Sequence, residues 1–201
     1  MRVLLINGSP NKHGCTYTAL REVADTLEKE GIETEFFDLG KGPFYGCIAC
    51  GSCGKTGKCV FKDVANDMAD RLLAADGVVI GSPVYYGGPN GALCAVLDRV
   101  FFSHSGFAGK PAAAVVSCRR GGATASFDRL NKYFTINAMP VVSSTYWNGV
   151  HGNTPEQVKQ DLEGLQIMRN IGHGMATMLR NIAGGEKVQT IERGQMTNFI
   201  R

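Results

Sequence analysis

The sequence predicts an α/β protein in three layers, an open, doubly wound sheet of five parallel strands with helices on both faces. Continuous aliphatic segments alternate with segments of helical period along the chain. The aliphatic segments lack the polar alternation of a half-exposed sheet, as strands covered on both faces do. Glycines, 26 in all, punctuate the junctions, and parallel neighbours need crossovers of this helical kind.

Arg2 to Asn7 is the first strand, aliphatic and closed by Gly8. Thr16 to Glu30 is a helix with Ala19, Val23, Ala24 and Leu27 on one stripe and Gly31 as its stop. Ile32 to Leu39 is the second strand, followed by a Gly-, Lys- and Cys-rich loop from Gly40 to Lys62. Val64 to Ala75 is a helix with Met68, Leu72 and Leu73 inward, and Gly77 to Ser82 is the third strand. Pro83 to Asn90 is expected as a loop, because Gly87, Gly88 and Pro89 bar regular structure. Ala92 to Phe102 is helical, Pro111 to Cys118 a strand, Arg119 to Gly122 a loop and Thr124 to Ala138 a helix. The last strand is placed at Pro140 to Ser144. Pro155 to Ile182 is read as one long helix, weakened at Gly164, Gly172 and Gly174 by roughly 1 kcal/mol each.

A chain of 201 residues with 44% hydrophobic and 19% charged residues is expected to fold as one domain, over residues 1–183. Residues 184–201 are a polar tail without period, read as an oligomer arm. The net charge of +3 comes from scattered Lys and Arg, so neither nucleic acid nor a membrane surface is expected as a partner. No apolar run approaches the ~18 residues of a membrane helix. Arg2 leads straight into a strand with no cleavage site, so no secretory leader is expected. The seven cysteines then predict a reducing, cytoplasmic setting.

Ligands of doubly wound sheets sit beyond the carboxyl ends of the strands. The first strand ends in GSPNKHGCT, residues 8–16. This is neither a Walker loop nor a Gly-x-Gly-x-x-Gly turn, yet hydroxyls (Ser9, Thr16), an amide (Asn11) and free N–H groups meet a helix N-terminus, the parts of a phosphate cradle. The third strand ends in Ser82-Pro83-Val84-Tyr85-Tyr86-Gly87-Gly88-Pro89-Asn90, a rigid loop whose main chain and tyrosines suit a flat heterocycle. The fourth ends in Ser117-Cys118-Arg119-Arg120-Gly121-Gly122, where glycine permits close approach and a guanidinium can meet an anion. Parallel topology puts all three loops on one rim.

GSPNKHGCT, GSPVYYGGPNGALCAVLDR and SCRRGG, in this order and spacing over roughly residues 1 to 180, resemble the flavodoxin-like NAD(P)H-dependent FMN reductases. The resemblance implies strand order 2-1-3-4-5 and bound FMN. It assigns the phosphate to Ser9, Asn11, Cys15, Thr16 and Tyr17, and the isoalloxazine to Pro83, Val84, Tyr85, Tyr86 and Gly87. It closes the ring site with Ser117, Arg119, Gly121 and Gly122. The family usually carries Arg where Asn11 stands and Asn or Ser where Cys15 stands. A thiol is a weak donor, so backbone groups and Thr16 are expected to carry more of the phosphate here.

Cys47-x2-Cys50-x2-Cys53-x5-Cys59 lies after the second strand. Closely spaced thiolates can surround one cubane cluster; tetrahedral zinc and metal-free thiols are the alternatives. The spacing resembles the iron–sulfur flavoproteins, a branch of the same group. That resemblance implies a [4Fe–4S] cluster exchanging electrons with FMN, in oligomers where one subunit's cluster serves a neighbour's flavin. Because the second strand runs parallel to the first, the cysteine loop is expected on the flavin side of the sheet. Cys94 and Cys118 read as packing residues, His13, His104, His151 and His173 as surface or packing residues, and Asp98 with Arg99 as a structural or interface ion pair.

The expected function is an FMN-dependent oxidoreductase that takes hydride from NAD(P)H and passes electrons to a second acceptor: a quinone, free flavin, an azo or nitro compound, or ferredoxin. The flavin carries the chemistry, so no side-chain acid or base is assigned. The alternative is an electron carrier that uses no nicotinamide, and a weaker one is a flavin-binding sensor. A homodimer or homotetramer is expected. No nucleophile elbow is present, so hydrolysis is not supported.

Overall fold

The computed structural model of the protein describes residues 1–185. The chain runs β1 (Arg2–Asn7), α1 (Cys15–Lys29), β2 (Glu33–Asp38), α2 (Cys53–Thr56), α3 (Val64–Ala74), β3 (Gly77–Tyr85), β4 (Gly88–Pro89) and α4 (Gly91–Ser103). It continues through β5 (Ala112–Cys118), α5 (Ala123–Ile136), β6 (Gly149–His151), α6 (Pro155–Val158) and α7 (Leu162–Gly184). The sheet order is β2-β1-β3-β5-β6, all parallel, with the two-residue β4 turned back antiparallel on β3. With β4 set aside, this is the expected 2-1-3-4-5 order. The polar tail lies, from residue 186 on, outside the described residues.

The period of two along each strand sorts side chains to two cores. Leu4, Ile6, Val78, Ile80, Ala114 and Val116 face one way, onto α3, α4 and α5. Val3, Leu5, Val79, Ala113 and Val115 face the other way, onto α1 and α7. The predicted α1 stripe, Ala19, Val23, Ala24 and Leu27, is fully buried.

The long helix expected over Pro155–Ile182 is two helices. Asp161 breaks it: one carboxylate oxygen caps the Gly164 N–H at 2.9 Å, and the other accepts from the His151 N–H at 2.6 Å. An aspartate that can hold backbone N–H groups outside a helix competes with helix continuation. Gly172 is a close approach rather than a weakness, since a Cβ there would lie 2.7 Å from the Thr26 Cβ on α1.

The expected last strand at Pro140–Ser144 is displaced. Only Val141 bridges Ala112, and the edge strand is β6. The chain pairs with the start of β5, through Val142 N–H to Ala112 O at 2.8 Å, then leaves the sheet. It returns at Asn148, whose carbonyl accepts from Val116 N–H at 3.0 Å. Between these points the Ala114 carbonyl is met by Asn148 Nδ2 at 3.0 Å, a side chain standing in for a strand's N–H. Only an edge tolerates such an excursion without orphaning a second neighbour.

Residues 83–90, expected as a loop, form a hairpin. Tyr86 (φ 49°) and Gly87 (φ 75°) are both left-handed, the two-residue turn that matches strand twist.

Candidate functional site

The loop from Gly8 to α1 is tied down from within. Asn7 Oδ1 accepts from Ser9 N–H at 3.2 Å, Ser9 Oγ accepts from Asn11 N–H at 3.1 Å, and Asn7 Nδ2 donates to Lys12 O and to Asp38 Oδ1. Gly14 stands at the N-cap of α1 with no side-chain cap. Its own N–H goes to Asn11 O at 3.2 Å, so the amides of Cys15, Thr16 and Tyr17 leave the helix end without intrahelical acceptors. Such an end with its dipole suits a phosphate. Burial pushes the Cys15 thiol above its ordinary value, which keeps it neutral beside an anion. Asn11 is exposed at the lip, and Tyr17 packs on Phe36 and His13, so what Tyr17 offers this helix end is its amide.

The three predicted loops touch one another. Gly8 N–H donates to Gly81 O at 2.8 Å, and Asn90 Nδ2 donates to Gly8 O at 2.7 Å, joining the first loop to the second. Thr16 Oγ1 and Ser117 Oγ share a buried 2.8 Å hydrogen bond, joining the first to the third. A Cβ on Gly122 would lie 2.8 Å from the Gly87 Cα and 2.9 Å from Val84, joining the third to the second. Pro83 and Val84 are half-buried, Tyr85 is exposed, and Tyr86 projects wholly into solvent. Arg119 and Gly121 are exposed on the third loop. The mouth therefore has buried hydroxyls at its floor (Ser9, Thr16, Ser117) and exposed aromatic and cationic groups at its rim.

Asn90 and Asn7 are the floor residues that sequence reasoning did not assign. Asn90 also caps α4, accepting from Ala92 N–H at 3.1 Å. Their signal was an asparagine at a strand end or directly before a helix, a pattern that marks local backbone bonding. A second hollow adjoins the third loop, lined among others by Arg120, Tyr146, Trp147, His151 and Asp161. Tyr146 and Trp147 meet edge-on there, with ring centroids 4.6 Å apart.

Cys47, Cys50, Cys53 and Cys59 all line one open hollow, with Phe61, Arg99 and Phe102. All four are free thiols. Among the described residues, no three His, Cys, Asp or Glu side chains gather closely enough to hold a single metal ion. The four thiols are spread around a space instead, and a cubane is a body with an iron at several corners rather than one point. The hollow lies between the cysteine loop, α4 and the start of α3. The α4 residues lining it begin at Arg99, eight residues past Gly91, ~12 Å down the helix from the mouth. The connection from Gly40 to Lys62 is long enough to descend the flank before α3 begins.

Asp98 and Arg99, expected as one ion pair, point to different partners. Asp98 accepts from Arg129 at 3.0 Å and from the Tyr133 hydroxyl at 2.5 Å. Arg99 is buried against Asp63, with contacts of 2.9 and 2.7 Å, and donates to Cys59 Sγ at 3.6 Å. Its Nε is buried with no hydrogen-bond partner among the described residues. Four sulfurs around one hollow, with the Arg99 guanidinium donating to one of them, fit a thiolate-bound, anionic group.

No helix among the described residues is long and apolar enough to cross a membrane. The chain is 34% identical over 191 residues to an iron–sulfur flavoprotein of Methanocaldococcus jannaschii, covering 90% of this chain and 99% of that one. It is 30% identical to an NADPH azoreductase of a Bacillus species, over 83% of this chain and 79% of that one. The fold superimposes on a flavodoxin, WrbA-like protein of Agrobacterium tumefaciens with a TM-score of 0.61 at 18% identity, covering 89% and 96%. Residues 1–154, which contain all three loops of the mouth and the four clustered cysteines, match the family described as NADPH-dependent FMN reductase. On that match the chain belongs to this family, and is a flavodoxin-like FMN flavoprotein of the oxidoreductase class.

Proposed function

We propose that the protein is an NAD(P)H-dependent FMN reductase that passes electrons to a second acceptor, a quinone, flavin, azo or nitro compound, or ferredoxin. The observation that carries this reading is the mutual contact of three strand-end loops in one mouth. Ser9, Thr16, the amides of Cys15 and Tyr17, and Asn11 at the lip would hold the phosphate. Pro83, Val84, Tyr85, Tyr86 and Gly87 would flank the ring. Ser117, Arg119, Gly121 and Gly122 would close over it. Bound FMN would accept hydride from the nicotinamide and release the electrons onward. The chain's own part is orientation and exclusion: rigid loops fix the cofactor, and no neighbouring side chain need move a proton. Burial raises the Cys15 and Cys118 thiols, so neither offers a competing thiolate at neutral pH.

We further assign the four clustered cysteines to a [4Fe–4S] cluster. The flank position of the hollow favours electron exchange with the flavin of a second copy. Ile48, Val60, Phe102 and Ile136, all exposed, lie in or beside this region and suit a homodimer or homotetramer. A carrier without nicotinamide use is the second reading, favoured by the relative named an iron–sulfur flavoprotein.

One preparation tests these statements. Protein purified without oxygen should show FMN absorbance, iron and acid-labile sulfide, and should bleach promptly on adding NADH or NADPH. Bleaching only by reduced ferredoxin transfers the assignment to the carrier. A preparation that takes up no FMN overturns both.

A further inference from the structure

The cysteine hollow has a charged wall. The Arg99 side chain is 1% exposed, and a guanidinium so far from water needs full compensation. Two of its donors fork onto Asp63, Nη1 to Oδ1 at 2.9 Å and Nη2 to Oδ2 at 2.7 Å. Nη1 also donates to Cys59 Sγ at 3.6 Å, and the guanidinium carbon lies 5.4 Å from the Phe61 ring centre. Nε is left over, buried and unpaired among the described residues, on a residue that lines the hollow.

Cys59 is held as firmly as the arginine. Asn66 Oδ1 accepts from Cys59 N–H at 2.9 Å, and Asn66 Nδ2 donates to Cys59 O and to Phe61 O at 3.0 Å each. Asp63 and Asn66 both belong to the start of α3, Asp63 as its N-cap. One helix end thus fixes the sulfur and the cation relative to each other. Cys47 and Cys50, by contrast, are exposed. A rigid planar fork that meets a carboxylate and a sulfur together is work for arginine and not for lysine.

We propose that Arg99 is a positioning residue for the redox group held by Cys47, Cys50, Cys53 and Cys59. It donates to the Cys59 sulfur through Nη1, and its charge favours the reduced, more negative form of the group. This rests on the reading that the group is an iron–sulfur cluster. Reduction adds one electron and breaks no bond, and potentials of such centres follow net charge and hydrogen bonds to sulfur. Asp63 acts in opposition, because its carboxylate neutralises part of the arginine's charge.

The test is a potentiometric titration of anaerobically reconstituted protein, read by electron paramagnetic resonance, with dithionite supplying electrons through mediators. Arg99→Gln is expected to lower the reduction equilibrium constant about tenfold, about 59 mV for one electron. Arg99→Lys, with charge kept and fork lost, should fall between Gln and wild type. Asp63→Asn keeps an N-cap for α3 and should shift the potential upward. A purely structural pair would not move the two potentials in opposite directions. Coincident potentials, or shifts of Arg99→Gln and Asp63→Asn in the same direction, overturn the proposal. Should Arg99→Gln fail to assemble, Asp63→Asn decides alone: an upward shift supports the proposal, and no shift or a downward one overturns it. Wild-type protein without iron and sulfide after reconstitution overturns the cluster reading itself, and shows it before any variant is made.

Discussion

Gly122 is constrained twice over in the mouth. Its φ of +88° and the 2.8 Å that a Cβ would leave to the Gly87 Cα both exclude a side chain. Gly121, its neighbour, has open space around its Cβ position. Gly122→Ala should therefore strain the loop by ~1–3 kcal/mol and push it off the β3 hairpin. FMN affinity should fall at least tenfold, while Gly121→Ala binds as the wild type does. Fluorescence titration of the two variants measures both, and equal affinities would sink the account of how the second and third loops meet. The pair also shows where sequence reading stops. Both glycines stand in one SCRRGG motif, and nothing local distinguishes them.

At the scale of elements, the split edge strand depends on one amide. Asn148 is 1% exposed and meets the Ala114 carbonyl where a strand's N–H would stand. Asn148→Ala leaves that buried acceptor unpaired, at about 1–3 kcal/mol. The variant should melt several degrees lower, with hydrogen exchange accelerating first at Val116 and Val150 on the edge. Exchange rising uniformly over the sheet, or no loss of stability, would contradict this role. The excursion it anchors carries Tyr146 and Trp147 out to the hollow beside the third loop, so a local bonding exchange at the edge shapes the rim of the site.

Across the molecule, α1 and α7 close one face of the sheet and are clasped at the C-terminus of α1. Glu30 receives Arg180 Nη2 at 2.8 Å and His173 Nδ1 at 2.8 Å. Arg180 first, then His173, hold its carboxyl below the ordinary value of 4.5. A carboxyl lowered in the folded state binds fewer protons there than in the unfolded chain. Its contribution is therefore fully present above the ordinary value and is lost as pH falls through the lower, folded value. The group is at the surface, so the effect is small and screened by salt. Thermal melts of wild type and Glu30→Gln should differ at neutral pH and low salt and converge in acid. A gap that persists or widens in acid would exclude the clasp.

Aliphatic runs and helical period were enough to read the layered parallel sheet and the strand ends that carry the three loops. Strands buried on both faces must be continuously aliphatic, and that signal is local and strong. The sequence also put Ser9, Thr16 and Ser117 at strand ends, because a short loop after a strand stays where the strand ends. Which groups complete the sites depends on contacts between distant parts of the folded chain. Arg99 meets Asp63 and Cys59 across 36 and 40 residues of chain, and Asn148 serves a carbonyl 34 residues away. Asp161 ends one helix and starts another through an N–H on the neighbouring strand. Such pairings depend on where the folded backbone puts each polar group that burial forces to find a partner, and no local period encodes that.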